Sequence, residues 1–152
     1  MKRVLFTLAV VSAVILSVSC AKYEDGRPEK SVRQEFANMY NDAKDIEWER
    51  EGSYWKVSFE TGTNPNRVDH EAWFDMAGNW VMTETELFLS SVPQDIKNHL
   101  AADPVFGASS VSDNEVEFWQ KPDGNFYRFE VRHDGREVKV DVTEDGKVSL
   151  AR

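Results

Sequence analysis

Cysteine is nearly missing from this chain of 152 residues, where Cys20 is the only one. One thiol cannot form a disulfide within the chain, so the fold must rest on its core. Histidine is scarce as well. His70, His99 and His133 have no second His or Cys at metal-ligand spacing, and no His-Glu-x-x-His pattern occurs. There is no Gly-rich phosphate loop and no Gly-x-Ser-x-Gly elbow. Asp141 to Asp145-Gly146 lacks the alternating oxygen ligands and closing Glu of a calcium loop, so it is expected to be a turn. These absences remove the usual nucleophile–base and metal sets. The sequence therefore predicts no catalytic residue, no metal ligand and no cofactor. Basic charge is short too, with 18 Lys and Arg against 27 Asp and Glu. That balance disfavours nucleic acid as a partner, and anionic lipid surfaces equally.

Only one long apolar run occurs, Val4 to Val18, behind the basic Lys2 and Arg3. At about 15 residues it has the length of a signal-peptide core and is short for a membrane span. Ser17-Val18-Ser19-Cys20 then resembles a bacterial lipobox, with Leu16 one place further out than usual. Residues 1–19 are expected to be a lipoprotein signal peptide, with Cys20 the lipidation site. An ordinary secretory signal with an incidental cysteine is the alternative. Residues 20–27 form the lipidated N-terminus and a polar linker. Glu24 and Asp25 fit either a surface-export signal or plain linker. Loss of Lys2 and Arg3 leaves a mature net charge of −11.

What is abundant is aromatic: five Trp, nine Phe and four Tyr. They fall into a pattern that occurs twice. Val32, Phe36 and Tyr40 sit at i, i+4 and i+8, the mark of one apolar helix face. Alternating segments follow around Trp48, at Trp55-Val57-Phe59, at Val68-His70-Ala72-Phe74, and from Trp80 to about Leu87. Val92, Ile96 and Leu100 then repeat the helical spacing, with Ser91 expected as N-cap and Pro93 in the first turn. Strands follow again at Val116-Phe118, Tyr127-Phe129-Val131, Val138-Val140-Val142 and Lys147 to about Leu150. The turns Gly78 and Gly146 fall at matching places. The expectation is an α+β domain over 28–152, a tandem duplication of an α-β-β-β-β unit (about 28–88 and about 91–152). Its antiparallel sheet would carry two helices on one face and be open opposite.

The tandem units, the Trp48 strand, Phe74-Asp75-Met76-Ala77-Gly78-Asn79-Trp80 and the Val92-Pro93 helix start resemble the PepSY-like, β-lactamase-inhibitor-protein-like lipoproteins of Bacteroidetes. The resemblance covers roughly residues 28 to 152. It implies two repeats in one sheet layer, helices on one side, an open and often concave face on the other, and by analogy a binding or inhibitory role. It assigns no binding residues.

Those come from the strand alternation. Trp55, Phe59, Phe74, Phe118, Tyr127 and Phe129 fall on the helix-covered phase. Tyr54, Trp73, Trp119 and Phe126 fall on the other, beside Glu47, Lys56, Glu117 and Arg128. Large aromatics among charges have the composition of an interface centre. The candidate binding residues are therefore Tyr54, Lys56, Trp73, Trp119, Phe126 and Arg128. A second small core on that side is the competing explanation. His70 is expected as a satisfied core or edge histidine, His99 and His133 as solvated. Glu84 and Glu86 share a strand face and read as solvated carboxylates.

The sequence thus points to an exported lipoprotein with a non-enzymatic binding domain, anchored at the outer membrane by lipid alone, periplasmic or surface-exposed. Its partner is expected to be an envelope protein. A carbohydrate or peptidoglycan ligand is the alternative.

Overall fold

The computed structural model describes residues 26–151, so Cys20 and the apolar run before it lie outside the described residues. Helix α1 spans Lys30–Met39 and is followed by β1 (Lys44–Glu51), β2 (Tyr54–Thr63), β3 (Asn66–Asp75) and β4 (Trp80–Phe88). A single 3-10 turn, Leu89–Ser91, leads into α2 (Gln94–Ala102). Then come β5 (Ser110–Val111), β6 (Glu115–Gln120), β7 (Phe126–His133), β8 (Arg136–Thr143) and β9 (Val148–Leu150). All nine strands join one antiparallel sheet, ordered β1-β2-β3-β4-β6-β7-β8-β9, with β5 paired to β7. The architecture is an open α+β sheet with two helices.

The register shows why both helices lie on one face. Cross-strand partners point to the same side. The pairs Trp55–Phe74, Val57–Ala72, Ala72–Thr83, Thr85–Phe118, Phe118–Tyr127, Tyr127–Val142 and Phe129–Val140 therefore form one continuous surface. Val32 and Phe36 of α1 pack on its first part, against Trp55, Val57, Phe59 and Phe74. Val92, Ile96 and Leu100 of α2 pack on its second part, against Val116, Phe129, Val131, Val140 and Val142. Each fully buried large side chain contributes about 1.5–3 kcal/mol relative to exposure, which is how two short helices are held.

Between these clusters the surface turns polar. Thr83 and Thr85 of β4 are buried. The Thr83 hydroxyl meets the Tyr40 hydroxyl and accepts from Trp80 Nε1 at 2.8 Å. Thr85 meets His70 Nδ1 at 2.9 Å, and His70 Nε2 meets Thr61 at 2.8 Å. His70 is therefore the satisfied histidine its phase predicts, stacked on Phe59. Burial holds its pKa below the ordinary value, against the charges of Asp69 and Asp42.

Several expectations need correction. Ser91 does not cap α2; it ends the 3-10 turn, and Pro93 occupies the N-cap position. After α2 the Asp103 carboxylate accepts from the backbone N–H of Val105 and Phe106, which tucks Phe106 into the core. This segment feeds the two-residue β5, an element the alternation did not predict. Ile46, beside a register shift between Lys44 and Glu47, shares the α1 side with Trp48 but is 45% exposed. His99 and His133 are half-buried rather than solvated. His133 meets the Ser109 hydroxyl at 3.0 Å and packs on Phe106. Asp145-Gly146 is a turn, as expected, with Asp145 accepting from the Thr143 hydroxyl.

Candidate binding face

Among the described residues the other face of the sheet carries no helix. Its rows follow from the register: Lys56 opposite Trp73, Trp73 opposite Met82, Glu71 opposite Glu84, Glu84 opposite Trp119, Trp119 opposite Phe126 and Glu117 opposite Arg128. Three of the four expected aromatics meet here. Trp73 and Trp119 stack with centroids 5.7 Å apart and planes 22° apart. Trp119 and Phe126 stack at 6.1 Å and 7°. The Arg128 guanidinium lies 5.5 Å from the Trp119 ring centre and 5.4 Å from that of Phe126, a cation–π arrangement. Lys121 sits over the same two rings.

Exposure separates these residues. Trp73 is only 6% exposed, and its Nε1 donates to Glu51 at 3.0 Å. The expectation that it faces solvent is wrong: its ring is buried and stacked on Trp119. Trp119 and Phe126 are half-exposed. Tyr54 is 41% exposed and opposite Asp75 at the end of β2, outside the ring stack. Lys56 bridges Glu49 at 2.7 Å and Glu71 at 3.1 Å, and its pKa is raised chiefly by the bond to Glu49. Arg128 grips Asp141 with two bonds, 2.7 and 3.1 Å. Glu117 accepts from Lys139 at 2.7 Å and from Trp119 Nε1 at 2.8 Å. Burial pushes Glu117 up, but these bonds and Arg128 outweigh it and hold its carboxyl low.

Beside the rings the face becomes acidic. A depression of about 560 Å3 is lined by Glu47, Glu60, Asp69, Glu71, Glu84 and Glu86 among others. Glu84 and Glu86 have no ion-pair partner among the described residues. Glu84 is half-buried, and burial together with the charges of Glu117, Glu71 and Glu86 pushes it up to about 7. The sequence suggested a solvated carboxylate there; Glu84 is instead a strained one. Met82 and Phe88, the latter 57% exposed, also lie on this face. Both stand on the same phase as Glu84 and Glu86, in the regular part of β4. Among the described residues no group of His, Cys, Asp and Glu is arranged to hold a metal ion. What the face offers chemically is apolar area, fixed cations and excess carboxylate.

Comparison with known proteins agrees with this architecture. A family model described as "Putative beta-lactamase-inhibitor-like, PepSY-like" matches residues 53–149. A BLIP-like protein of Bacteroides fragilis superposes with a TM-score of 0.70 at 23% identity, covering 82% of this chain and 86% of its own. A DUF2874 family protein of Bacteroides uniformis gives a TM-score of 0.66 at 25% identity, over 83% of this chain and 89% of that one. A structure described as "putative periplasmic proteins", from Bacteroides eggerthii, gives 0.65 at 24% identity over 83% and 89%. No match is found among curated proteins.

Proposed function

Because the chain belongs to the PepSY-like, β-lactamase-inhibitor-like family, we propose that it is a non-enzymatic envelope protein that binds, and in doing so inhibits or sequesters, another protein through the open sheet face. The observation that carries this is the ring stack with its cations. A sheet face left to water needs no Trp119–Phe126 stack braced by Arg128, whereas an interface centre is built from such residues. The carbohydrate alternative has less support. A sugar platform needs open ring faces, and Trp119 lies between Trp73 and Phe126 in the sheet order.

The chain divides on this proposal into a lipoprotein signal (1–19), a lipidated Cys20 with its linker (20–27) and the binding domain (28–152). It sits at the outer membrane, held by lipid only. A periplasmic or cell-surface location agrees with the neighbour described as periplasmic. The domain itself is proposed to be a tandem duplication. In support, Gly78 and Gly146 both have positive φ in the turn before the last strand of their half, and both turns abut a helix: a Cβ on Gly78 would touch Val32 of α1, and one on Gly146 would strike His99 of α2.

The test uses residues 21–152 as bait on solubilised envelope. Trp119→Ala/Phe126→Ala should lose the captured protein while retaining the thermal melt. Trp73→Ala is unsuitable, since truncating a buried ring tests folding. Unchanged capture by the double variant would remove the open face from consideration. Acylation is tested separately by labelling with a radioactive fatty acid, which Cys20→Ala should abolish.

A further inference from the structure

The two outer edges of the sheet differ. At one end β9 has three residues, too short to pair usefully with another chain. At the other end β1 runs for eight residues, and its outer side has no neighbouring strand among the described residues. Beside that edge, between α1 and β1, is an apolar groove of about 360 Å3 whose lining includes Phe36, Ala37, Tyr40, Ala43, Ile46 and Trp48. Ile46 and Met39 are exposed hydrophobics near it. On the other phase of the same strand stand Glu47, Glu49 and Glu51, all exposed; Glu49 is already bridged by Lys56 and Glu51 accepts from Trp73, while Glu47 has no ion pair among the described residues. The edge thus has a row of Ile46 and Trp48, closed by Arg50 over the Trp55 ring, and an acidic row, one on each side of its backbone.

We propose that β1 accepts an extended segment of a partner protein as an additional strand, a segment in which basic and apolar residues alternate. Unpaired backbone groups supply the bonds, and the two rows supply the selection. Apolar residues of the incoming strand would lie along Ile46 and Trp48, and its Lys or Arg along the glutamates. A second copy of this chain is a poor occupant. Continuing the sheet across a two-fold axis would set one glutamate row against the other, and like charges directly opposite are destabilising. This inference stands on the edge of the sheet and does not require the open-face proposal.

The experiment uses the full chain in mild detergent with three blocked peptides, each as long as the eight-residue β1. Their sequences repeat Lys-Val, Lys-Ser or Glu-Val. The Lys-Val peptide should slow amide hydrogen exchange over Lys44–Glu51 and leave Val148–Leu150 unchanged. The other two should bind about tenfold more weakly or worse, each having lost one of the two rows' complementarity. Glu47→Lys/Glu49→Lys should reverse the charge preference toward Glu-Val. Should that variant melt early, Glu47→Gln, at a site with no ion pair among the described residues, should still weaken Lys-Val binding. Equal affinity for all three peptides, protection located on the open face instead, or a charge reversal without effect would each overturn the proposal.

Discussion

The two halves of the sheet solve one packing problem with different side chains. Under α1 the core is aromatic: Phe36 makes edge contacts with Trp48, Phe59 and Phe74, and Tyr40 leans on Phe59. Under α2 it is mostly aliphatic, with Val92, Ile96 and Leu100 set against a carpet of valines from β6, β7 and β8. Rings fill volume with few residues but need matched angles; valines fit a pleated surface with little choice of rotamer. The contrast continues on the open face. Below the aromatic half the face is acidic, and toward the aliphatic half it carries the ring stack and Arg128. Bulk therefore alternates across the sheet, and neither half is a copy of the other in content.

The sharpest way to break this comparison is to truncate matching helix positions. Phe36→Ala should cost about 4 kcal/mol and Ile96→Ala about 3 kcal/mol by chemical denaturation, since ring removal leaves the larger cavity. A greater loss at Ile96 would show that the aliphatic half bears more of the stability. Next come the turn glycines. Gly78→Ala and Gly146→Ala should each cost about 1–2 kcal/mol, because both hold φ near +90°. Adding His99→Ala should relieve part of the Gly146 penalty, since that clash is with a side chain. No such rescue exists at Gly78, where the Val32 backbone stands at ordinary contact distance and the penalty is in the backbone angle.

Smaller still is the effect of the strained carboxylate. A carboxyl raised in the folded state binds a proton there that the unfolded chain has released, so stability falls as pH rises from the ordinary value of 4.5 to about 7. Glu84→Gln should therefore stabilise by about 1 kcal/mol at pH 8, after allowance for solvent screening of a half-exposed group, and by nothing near pH 4. Buried His70 acts in the opposite sense, losing stability as pH drops below its ordinary value of 6.5. Urea titrations of Glu84→Gln at both pH values separate the two, and an equal effect at both would remove Glu84 as the cause. Last, Arg132→Ala at the exposed pair with Glu137 should change stability by less than about 0.5 kcal/mol.

Periodicity made most of the fold legible, because both periods were strong where burial is one-sided. Val32-Phe36 and Val92-Ile96-Leu100 specified helix faces, and Trp55-Val57-Phe59 or Tyr127-Phe129-Val131 specified strand faces. It failed where pairing is irregular. Beside the shift before Glu47, Ile46 is exposed, and between Trp80 and Met82 one residue of β4 has no partner in β3. The site was half legible for another reason. Phase gives the side of a sheet and says nothing of cover, so Trp73 was placed on its face and misjudged in exposure. The raised Glu84 was not legible because it arises first from burial and then from carboxylates on three strands, β3, β4 and β6.

Strand β4 lies between both cores and is closely partnered along both sides. It pairs with β3 from His70 to Phe74 and with β6 over Thr83–Phe88. Separating the halves after Phe88 would leave the first with an open edge that normally bonds six residues. A truncated half of this kind would exchange strands with its neighbours rather than remain monomeric, so expression of either half alone should yield swapped dimers or larger assemblies. The seam thus ties the two halves into one folding unit.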